Sequence, residues 1–104
     1  MGARENKVET YLDEQVELRG GITRKWVSPG RVGAPDRIII IAGVVWFVEV
    51  KTVNGILSKP QKREHGRLKD AGANVTTVYG TKGVDKFVGL WLRYHKNQGS
   101  VRPL

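Results

Sequence analysis

The feature that most limits the fold of this chain is an apolar stretch over residues 38–48. A stretch of 11 residues is too short to cross a bilayer, which takes about 20. Ala42-Gly43 interrupts it in the middle, and both halves are rich in β-branched residues, which favour strands over helices. The stretch therefore predicts two antiparallel strands, residues 37–41 and 44–50, joined by a two-residue turn.

The rest of the chain alternates between helical and extended patterns. Apolar residues at positions 8, 11, 12 and 16 predict a helix over residues 5–18. By similar reasoning we expect strands over residues 22–27 and 74–79, a helix capped by Ser58 that runs to Ala71, and a helix around residues 84–92. The order α-β-β-β-α-β-α predicts one α/β domain with a mixed sheet. We expect residues 96–104 to form a loose tail.

The register of the predicted hairpin places three charged side chains together. If residues 42 and 43 form the turn, Ile41 faces Val44, and Asp36 then lies opposite Glu49. Lys51 is two residues beyond Glu49 and points to the same face. Both faces of the hairpin are otherwise apolar, so we expect it to be covered on both sides in the middle of the sheet.

Two facing carboxylates destabilise a sheet unless a positive charge lies between them. Lys51 supplies part of that charge, and Mg²⁺ or Mn²⁺ would supply more because these ions prefer oxygen ligands. The cluster contains no histidine or cysteine, which argues against zinc. A carboxylate-bound Mg²⁺ beside a lysine suits phosphodiester hydrolysis. The alternative is a purely structural salt bridge among Asp36, Glu49 and Lys51.

The charge distribution favours a polyanionic partner. The net charge is +8, and the first 17 residues contain five acids but only two bases, so the excess of bases lies in the rest of the chain. Nucleic acid is the first candidate partner and anionic lipid the second, although solubility alone is another reading. Candidate phosphate-binding residues flank the Asp36 loop and line the second helix, where the alternative is a solvated helix face. They are Lys25, Arg31, Arg37, Lys59, Lys62, Arg63 and Arg67.

The absence of cysteine limits the chemistry and the compartment. The chain has no cysteine, which excludes disulfides, thiolate metal ligands and thiol nucleophiles. Small secreted domains usually need disulfides, so we expect a cytoplasmic protein that is not secreted. No targeting segment or membrane span is predicted.

The ordered motifs of the chain resemble a known family. Pro35-Asp36 is followed after 12 residues by Glu49-Val50-Lys51, which matches the PD-(D/E)xK nuclease pattern. Together with the acidic first helix, residues 57–61 and residues 72–75, this pattern is similar to the virus-type replication-repair nuclease domain, VRR-NUC, in its small stand-alone phage form. The resemblance implies a restriction-endonuclease-like fold, Mg²⁺ or Mn²⁺ dependence and cleavage of branched DNA. It also implies a homodimer similar to Holliday-junction resolvases, with no membrane and no small-molecule cofactor.

The resemblance also implies roles for the hairpin residues. Asp36 and Glu49 would be metal ligands, and the backbone carbonyl of Val50 would be a third. Lys51 would be the catalytic lysine.

Two helices would complete the predicted site. The family uses a carboxylate of the first helix, for which we favour Glu9 because it borders the apolar stripe, with Glu5 as the alternative. Either acid could instead be favoured there by the helix dipole alone. Gln61 matches a position that the family tends to keep as glutamine, but it also completes a capping box. We expect His65 to be packed or to face phosphate.

The sequence leaves two other functions on nucleic acid open. One is a nuclease with the same chemistry that acts on flaps or nicked duplex. The other is a catalytically inert nucleic-acid-binding module. A toxin-like or membrane-surface basic protein is a further alternative of a different class.

Overall fold

The computed structural model describes the backbone of residues 3–98 and the side chains of residues 6–89. Three helices and four strands follow in the predicted order, which confirms the α/β class. They are α1 (Ala3–Leu18), β1 (Ile22–Lys25), β2 (Arg37–Ile41), β3 (Val44–Lys51), α2 (Lys59–Asp70), β4 (Asn74–Tyr79) and α3 (Gly80–Gln98).

The sheet is mixed and has the strand order β1-β2-β3-β4. β1 pairs with β2 and β2 with β3 in antiparallel fashion, whereas β3 and β4 are parallel. The parallel pair requires a crossover, and α2 provides it. The β2–β3 hairpin therefore occupies the centre of the sheet, as the sequence predicts.

The hairpin has the predicted register. Ile41 pairs with Val44, and the pairing continues to Arg37 opposite Val48. The turn residues Ala42 and Gly43 have φ angles of 49° and 84°. Two successive positive φ angles define the type of turn that matches the right-handed twist of the strands.

One face of the sheet carries the hydrophobic core. On this face the side chains of Ile39, Val48 and Val50 are fully buried, and those of Val44 and Trp46 are partly buried against the same core. The principal members are Leu12, Val16, Ile39, Val48, Val50, Val84 and Val88. Tyr11 Oη donates a hydrogen bond of 2.6 Å to Asp85 Oδ1, which fixes α1 to α3. The alternating pattern of the hairpin thus directs one row of side chains toward the core.

The expectation that both hairpin faces are covered is wrong near the turn. Ile40 and Val45 are 41% and 42% exposed on the opposite face. The helix on that face, α2, buries Glu64 and His65, which are both polar. α2 therefore covers the charged end of the hairpin and leaves the apolar turn end open to solvent.

The last helix starts earlier than expected. α3 begins at Gly80, directly after β4, and runs through Gln98. It therefore includes residues 96–98 of the predicted loose tail, and residues 99–104 lie outside the described part of the chain. In that part, no helix has both the length and the apolar character that a membrane crossing demands.

Candidate active site

Asp36 lies where the predicted register places it. It precedes β2 by one residue, next to the fully buried Pro35, and its Oδ2 accepts a hydrogen bond of 3.3 Å from the backbone N–H of Val50. Trp26 donates its own backbone N–H to the Asp36 carbonyl over 2.8 Å. The Asp36 carboxylate is thus held against the end of β3 that carries Glu49 and Lys51.

Glu49 is the most deeply buried carboxylate described, with 3% of the residue exposed. Its Oε2 accepts a hydrogen bond of 3.0 Å from Gln61 Nε2 and lies 3.8 Å from Lys51 Nζ. A buried carboxylate requires such compensation because desolvation disfavours the charged form. The predicted pair Glu49 and Lys51 therefore does share one face, and α2 closes over it.

Gln61 has both of the functions that the sequence left open. Its backbone N–H donates to Ser58 Oγ and its side-chain carbonyl accepts from the Ser58 N–H, which is a complete capping box. Its side-chain NH₂ group donates to Glu49. The first turn of α2 therefore connects helix capping directly to the position of a site carboxylate.

Lys51 is confined by the turn that follows β3. Gly55 closes this turn with a hydrogen bond of 2.9 Å to the Thr52 carbonyl. A Cβ atom at Gly55 would lie 3.0 Å from Cβ and 3.2 Å from Cδ of Lys51. The backbone of the turn therefore packs against the aliphatic part of the lysine and limits its rotamers.

His65, which we expected to be packed or to face phosphate, is buried beside Glu49, so the expectation that the cluster contains no histidine is wrong. It is 4% exposed, and its Nε2 lies 3.9 Å from Glu49 Oε1. Burial lowers the pKa of His65, the charge of Lys69 lowers it further, and a hydrogen bond to the Gly33 backbone acts in the opposite direction. The imidazole is therefore neutral near pH 7.

The acidic side of α1 contacts the sheet through Arg37. The Arg37 guanidinium lies 2.8 Å from Asp13 Oδ2 and 3.4 Å from Glu9 Oε1. Asp13 also accepts a hydrogen bond of 2.9 Å from Thr23 Oγ1. The choice between Glu9 and Glu5 stays a prediction, since the side chain of Glu5 lies outside the described residues, and Asp13 is an inward acid that the sequence analysis did not single out.

The basic candidates differ in their surroundings. Lys25, Lys59, Lys62 and Arg63 are exposed. Arg31 and Arg67 are more than half exposed but lie 3.9 and 2.8 Å from Glu64. The Arg37 side chain is 15% exposed and contacts two carboxylates. Its role in phosphate binding stays a prediction, because little of its guanidinium is accessible to DNA.

The donors at the end of the hairpin fit a hard divalent cation. Asp36 and Glu49 supply carboxylate oxygens, and the Val50 carbonyl points to the same side as its N–H, toward Asp36. Within residues 6–89, no three or more Asp, Glu or His side chains form a cluster that could hold an ion. Mg²⁺ is commonly bound through one or two carboxylates and several waters, which is what this donor set offers.

Two comparisons relate this chain to known proteins. A phage protein described as "Putative nuclease p44", from Acyrthosiphon pisum secondary endosymbiont phage 1, is 42% identical over 76 residues, which cover 72% of this chain and 82% of that protein. A solved structure described as "VRR_NUC domain" is 42% identical, with a TM-score of 0.78, and covers 85% of this chain and 97% of its own.

A second solved structure, described as "VRR_NUC domain protein", shares only the fold. It is 15% identical with a TM-score of 0.66, covering 89% of this chain and 91% of its own. No protein-family model matches the chain. The 42% identity over most of both chains, together with the shared restriction-endonuclease-like fold, is decisive: the chain belongs to the VRR-NUC family of nuclease domains.

Proposed function

We propose that this protein is a Mg²⁺- or Mn²⁺-dependent DNA endonuclease that acts on branched DNA. The observation that carries the proposal is the convergence of Asp36, Glu49 and Lys51 at one end of the hairpin, with Gln61 donating to Glu49. When bound, the metal ion would polarise a phosphoryl oxygen and lower the pKa of a coordinated water. Asp36, Glu49 and the Val50 carbonyl would hold it.

Lys51 has a distinct role in this proposal. Its ammonium group lies close to Glu49 and at the edge of the site, where it can orient the attacking water and stabilise the charge that develops on the phosphate. The water oxygen forms a bond to phosphorus as one P–O ester bond breaks. The attacking water gives up one proton to solvent, and the leaving oxygen takes one up from solvent.

DNA binding is proposed for the exposed basic side chains near the site. Lys25, Arg31, Lys59, Lys62, Arg63 and Arg67 surround the hairpin end on β1, the Asp36 loop and α2. Phosphate contacts of this kind position the backbone without reading bases. Replacing any one of them would weaken binding to all DNA structures and reduce its salt dependence.

Symmetric cleavage of a junction requires two sites, and each chain contains one hairpin cluster. We therefore propose a homodimer with two-fold symmetry. Sedimentation equilibrium at micromolar concentration should give twice the chain mass of 11.6 kDa. A monomeric mass with and without DNA would refute the dimer. We place the activity in the cytoplasm, in agreement with the cysteine-free sequence.

The test of the function is a cleavage panel with Lys51→Ala. The chain is incubated with four-way junctions, flaps, nicked duplex and linear duplex in Mg²⁺, Mn²⁺, Ca²⁺ or EDTA. We expect Mg²⁺- or Mn²⁺-dependent cutting, fastest on junctions, and a loss of about 10³-fold in Lys51→Ala with DNA binding nearly unchanged.

The matched control is Lys82→Ala, which removes an exposed lysine from α3 and should cut at the wild-type rate. Cutting in EDTA would exclude the metal mechanism, and normal cutting by Lys51→Ala would exclude the site. Faster cutting of flaps or nicked duplex would replace the branched-junction substrate. Binding without any cut product would identify an inert nucleic-acid-binding module.

A further inference from the structure

His65 has a buried ring nitrogen that lies near the carboxylate of Glu49. Its Nε2 has no hydrogen-bond partner among the described residues, although the residue is only 4% exposed. Buried polar atoms in folded proteins are nearly always hydrogen-bonded, so this atom requires an explanation. The neighbouring carboxylate oxygen, Glu49 Oε1, is 3.9 Å away, too far for a direct hydrogen bond.

The orientation of the ring determines what Nε2 can accept. The ring donates a hydrogen bond to the backbone of Gly33, and Nε2 is not the atom involved. Nδ1 therefore carries the hydrogen, and Nε2 presents a lone pair. Glu49 Oε1 is itself an acceptor, so the hydrogen that Nε2 requires comes from another group.

The backbone around Gly33 makes this orientation rigid. Gly33 has a φ of +95°, and a Cβ atom there would lie 2.5 Å from the Pro60 carbonyl oxygen. The Asp36 loop thus packs directly on the first turn of α2, and His65 projects from the second turn of the same helix. The ring is held between the loop that carries one site carboxylate and the strand that carries the other.

A water molecule beside Glu49 supplies the hydrogen that Nε2 of His65 lacks. A water that donates one hydrogen to each of two acceptors, at about 2.8 Å from each, separates them by about 4.4 Å, because its two O–H bonds are about 105° apart. The observed 3.9 Å is shorter than this, so a water that donates to Nε2 lies beside Glu49 rather than in line between the two atoms. Direct ligation is less suitable, because no three acidic or histidine side chains in the described region are arranged around one ion.

We propose that His65 is a positioning residue of the metal site, whose Nε2 accepts a hydrogen from a metal-bound water beside Glu49. The inference rests on the proposed function, because it requires an ion at Asp36 and Glu49. Outer contacts of this kind fix the orientation of ligands, and their loss typically reduces metal affinity by 10- to 100-fold.

The test measures Mn²⁺ binding in the absence of DNA. The electron paramagnetic resonance signal of the free ion reports how much Mn²⁺ stays unbound. His65→Asn retains a donor near Nδ1 for the Gly33 carbonyl but loses the acceptor at Nε2. His65→Gln places an amide oxygen near Nε2 but loses the contact with Gly33. We expect Mn²⁺ affinity to fall at least about tenfold in His65→Asn and to recover most of the loss in His65→Gln.

Asp70→Asn is the matched control, since it changes an exposed carboxylate on the same helix and should bind Mn²⁺ as the wild type does. Wild-type affinity in His65→Asn would overturn the proposal. A greater loss in His65→Gln than in His65→Asn would also overturn it, because the ring would then act only through Gly33. Thermal unfolding of each variant without metal shows whether it is folded.

A second measurement does not depend on any substitution of His65. Pulsed electron paramagnetic resonance spectra are recorded for Mn²⁺ bound to the ¹⁵N-histidine-labelled chain. They should show a weak nitrogen coupling, typical of a nitrogen that is hydrogen-bonded to a metal-bound water. The coupling should persist in His95→Gln, which assigns it to His65. A strong coupling from a directly bound nitrogen, or no coupling, would overturn the inference.

The two proposals fail in different ways. Asp36→Asn and Glu49→Gln should each weaken Mn²⁺ binding if the proposed metal site is correct. If neither does, the proposed function fails. If both do and His65→Asn does not, only the role of His65 fails.

Discussion

At its turn end the β2–β3 hairpin exposes apolar side chains, whereas at its other end it buries charged ones. Ile40 and Val45 are about two-fifths exposed beside the Ala42-Gly43 turn. Glu49 is almost completely buried at the opposite end, under Gln61 of α2. The two ends share the same strands and the same alternation, so the difference arises from what packs on them.

The two ends of this hairpin differ in what they contribute: the turn end affects stability, and the charged end affects function. An exposed apolar side chain forgoes a small stabilisation, while a buried carboxylate costs desolvation that its partners only partly offset. The helix that could cover the turn end instead covers the charged end with Gln61, Glu64 and His65. Substitutions at the charged end should therefore change activity more than stability, and those at the turn end should do the reverse.

The largest expected effect is at Glu49. Glu49→Gln removes the buried charge but keeps a side chain of the same shape that can still accept from Gln61. Cleavage should fall about 10³-fold or more. The free energy of unfolding in metal-free buffer should rise by about 1 kcal/mol, because a neutral amide costs less to bury.

Its control is Val45→Thr at the turn end, which should leave cleavage unchanged and alter stability by less than about 0.5 kcal/mol. Cleavage assays and denaturant unfolding measure both effects. A strongly destabilised Glu49→Gln chain would mean that the carboxylate stabilises the fold, and the separation of the two ends would then be wrong.

The second effect concerns the contact between the Asp36 loop and α2. Gly33→Ala introduces a Cβ atom at 2.5 Å from the Pro60 carbonyl oxygen, at a positive φ. We expect a loss of about 2–3 kcal/mol in the free energy of unfolding, together with slower cleavage because Asp36 moves away from Glu49.

Gly30→Ala is the matched control for backbone strain. Gly30 also has a positive φ, of +77°, but nothing lies within 4 Å of a Cβ atom there. The Gly30→Ala variant should lose about 1 kcal/mol in the free energy of unfolding and should cleave at the wild-type rate. Equal losses for the two variants would show that the close approach at Gly33 has no consequence of its own.

The third effect separates the two functions of Gln61. Gln61→Glu keeps an acceptor for the Ser58 N–H but replaces the donor to Glu49 with a second negative charge. Cleavage should fall at least about tenfold because like charges displace Glu49. Ser58→Ala should cost about 1 kcal/mol of stability and leave cleavage near the wild-type rate. If the cap variant lost as much activity as Gln61→Glu, the contact with Glu49 would have no separate role.

The sequence predicts the hairpin well because two local rules determine it. A two-residue turn fixes which residues pair, and the period of two in a strand then fixes which face each side chain occupies. The position of Asp36 relative to β3 follows from those rules alone. The capping box of α2 is equally local, since Ser58 and Gln61 are three residues apart.

The remainder of the site depends on how helices dock, which no local rule specifies. Glu9 and Asp13 meet Arg37 only because α1 packs on the sheet across β1 and β3. His65 meets Glu49 only because α2 lies over the charged end of the hairpin. The incomplete cover at the turn end has the same origin, since an apolar strand pattern does not say how far a helix extends over it.

The smallest expected effect is at the turn, where Ala42 has a φ of 49°. Asparagine adopts this left-handed conformation more readily than alanine, and Asn-Gly is a preferred pair for a two-residue hairpin turn. Ala42→Asn should therefore raise the free energy of unfolding by about 1 kcal/mol, which corresponds to a rise of roughly 4–8 °C in Tm for a domain of this size.

Gly43→Ala is the opposing variant at the same turn. It should lower stability because Gly43 has a φ of 84°, which alanine adopts only with strain. Cleavage and Mn²⁺ affinity should be unchanged in both variants, since the turn lies at the far end of the strands from Asp36 and Glu49. A change in cleavage without a change in stability would show that the two ends of the hairpin are coupled, and it would require strain at the turn to be transmitted along β3 to the carboxylates.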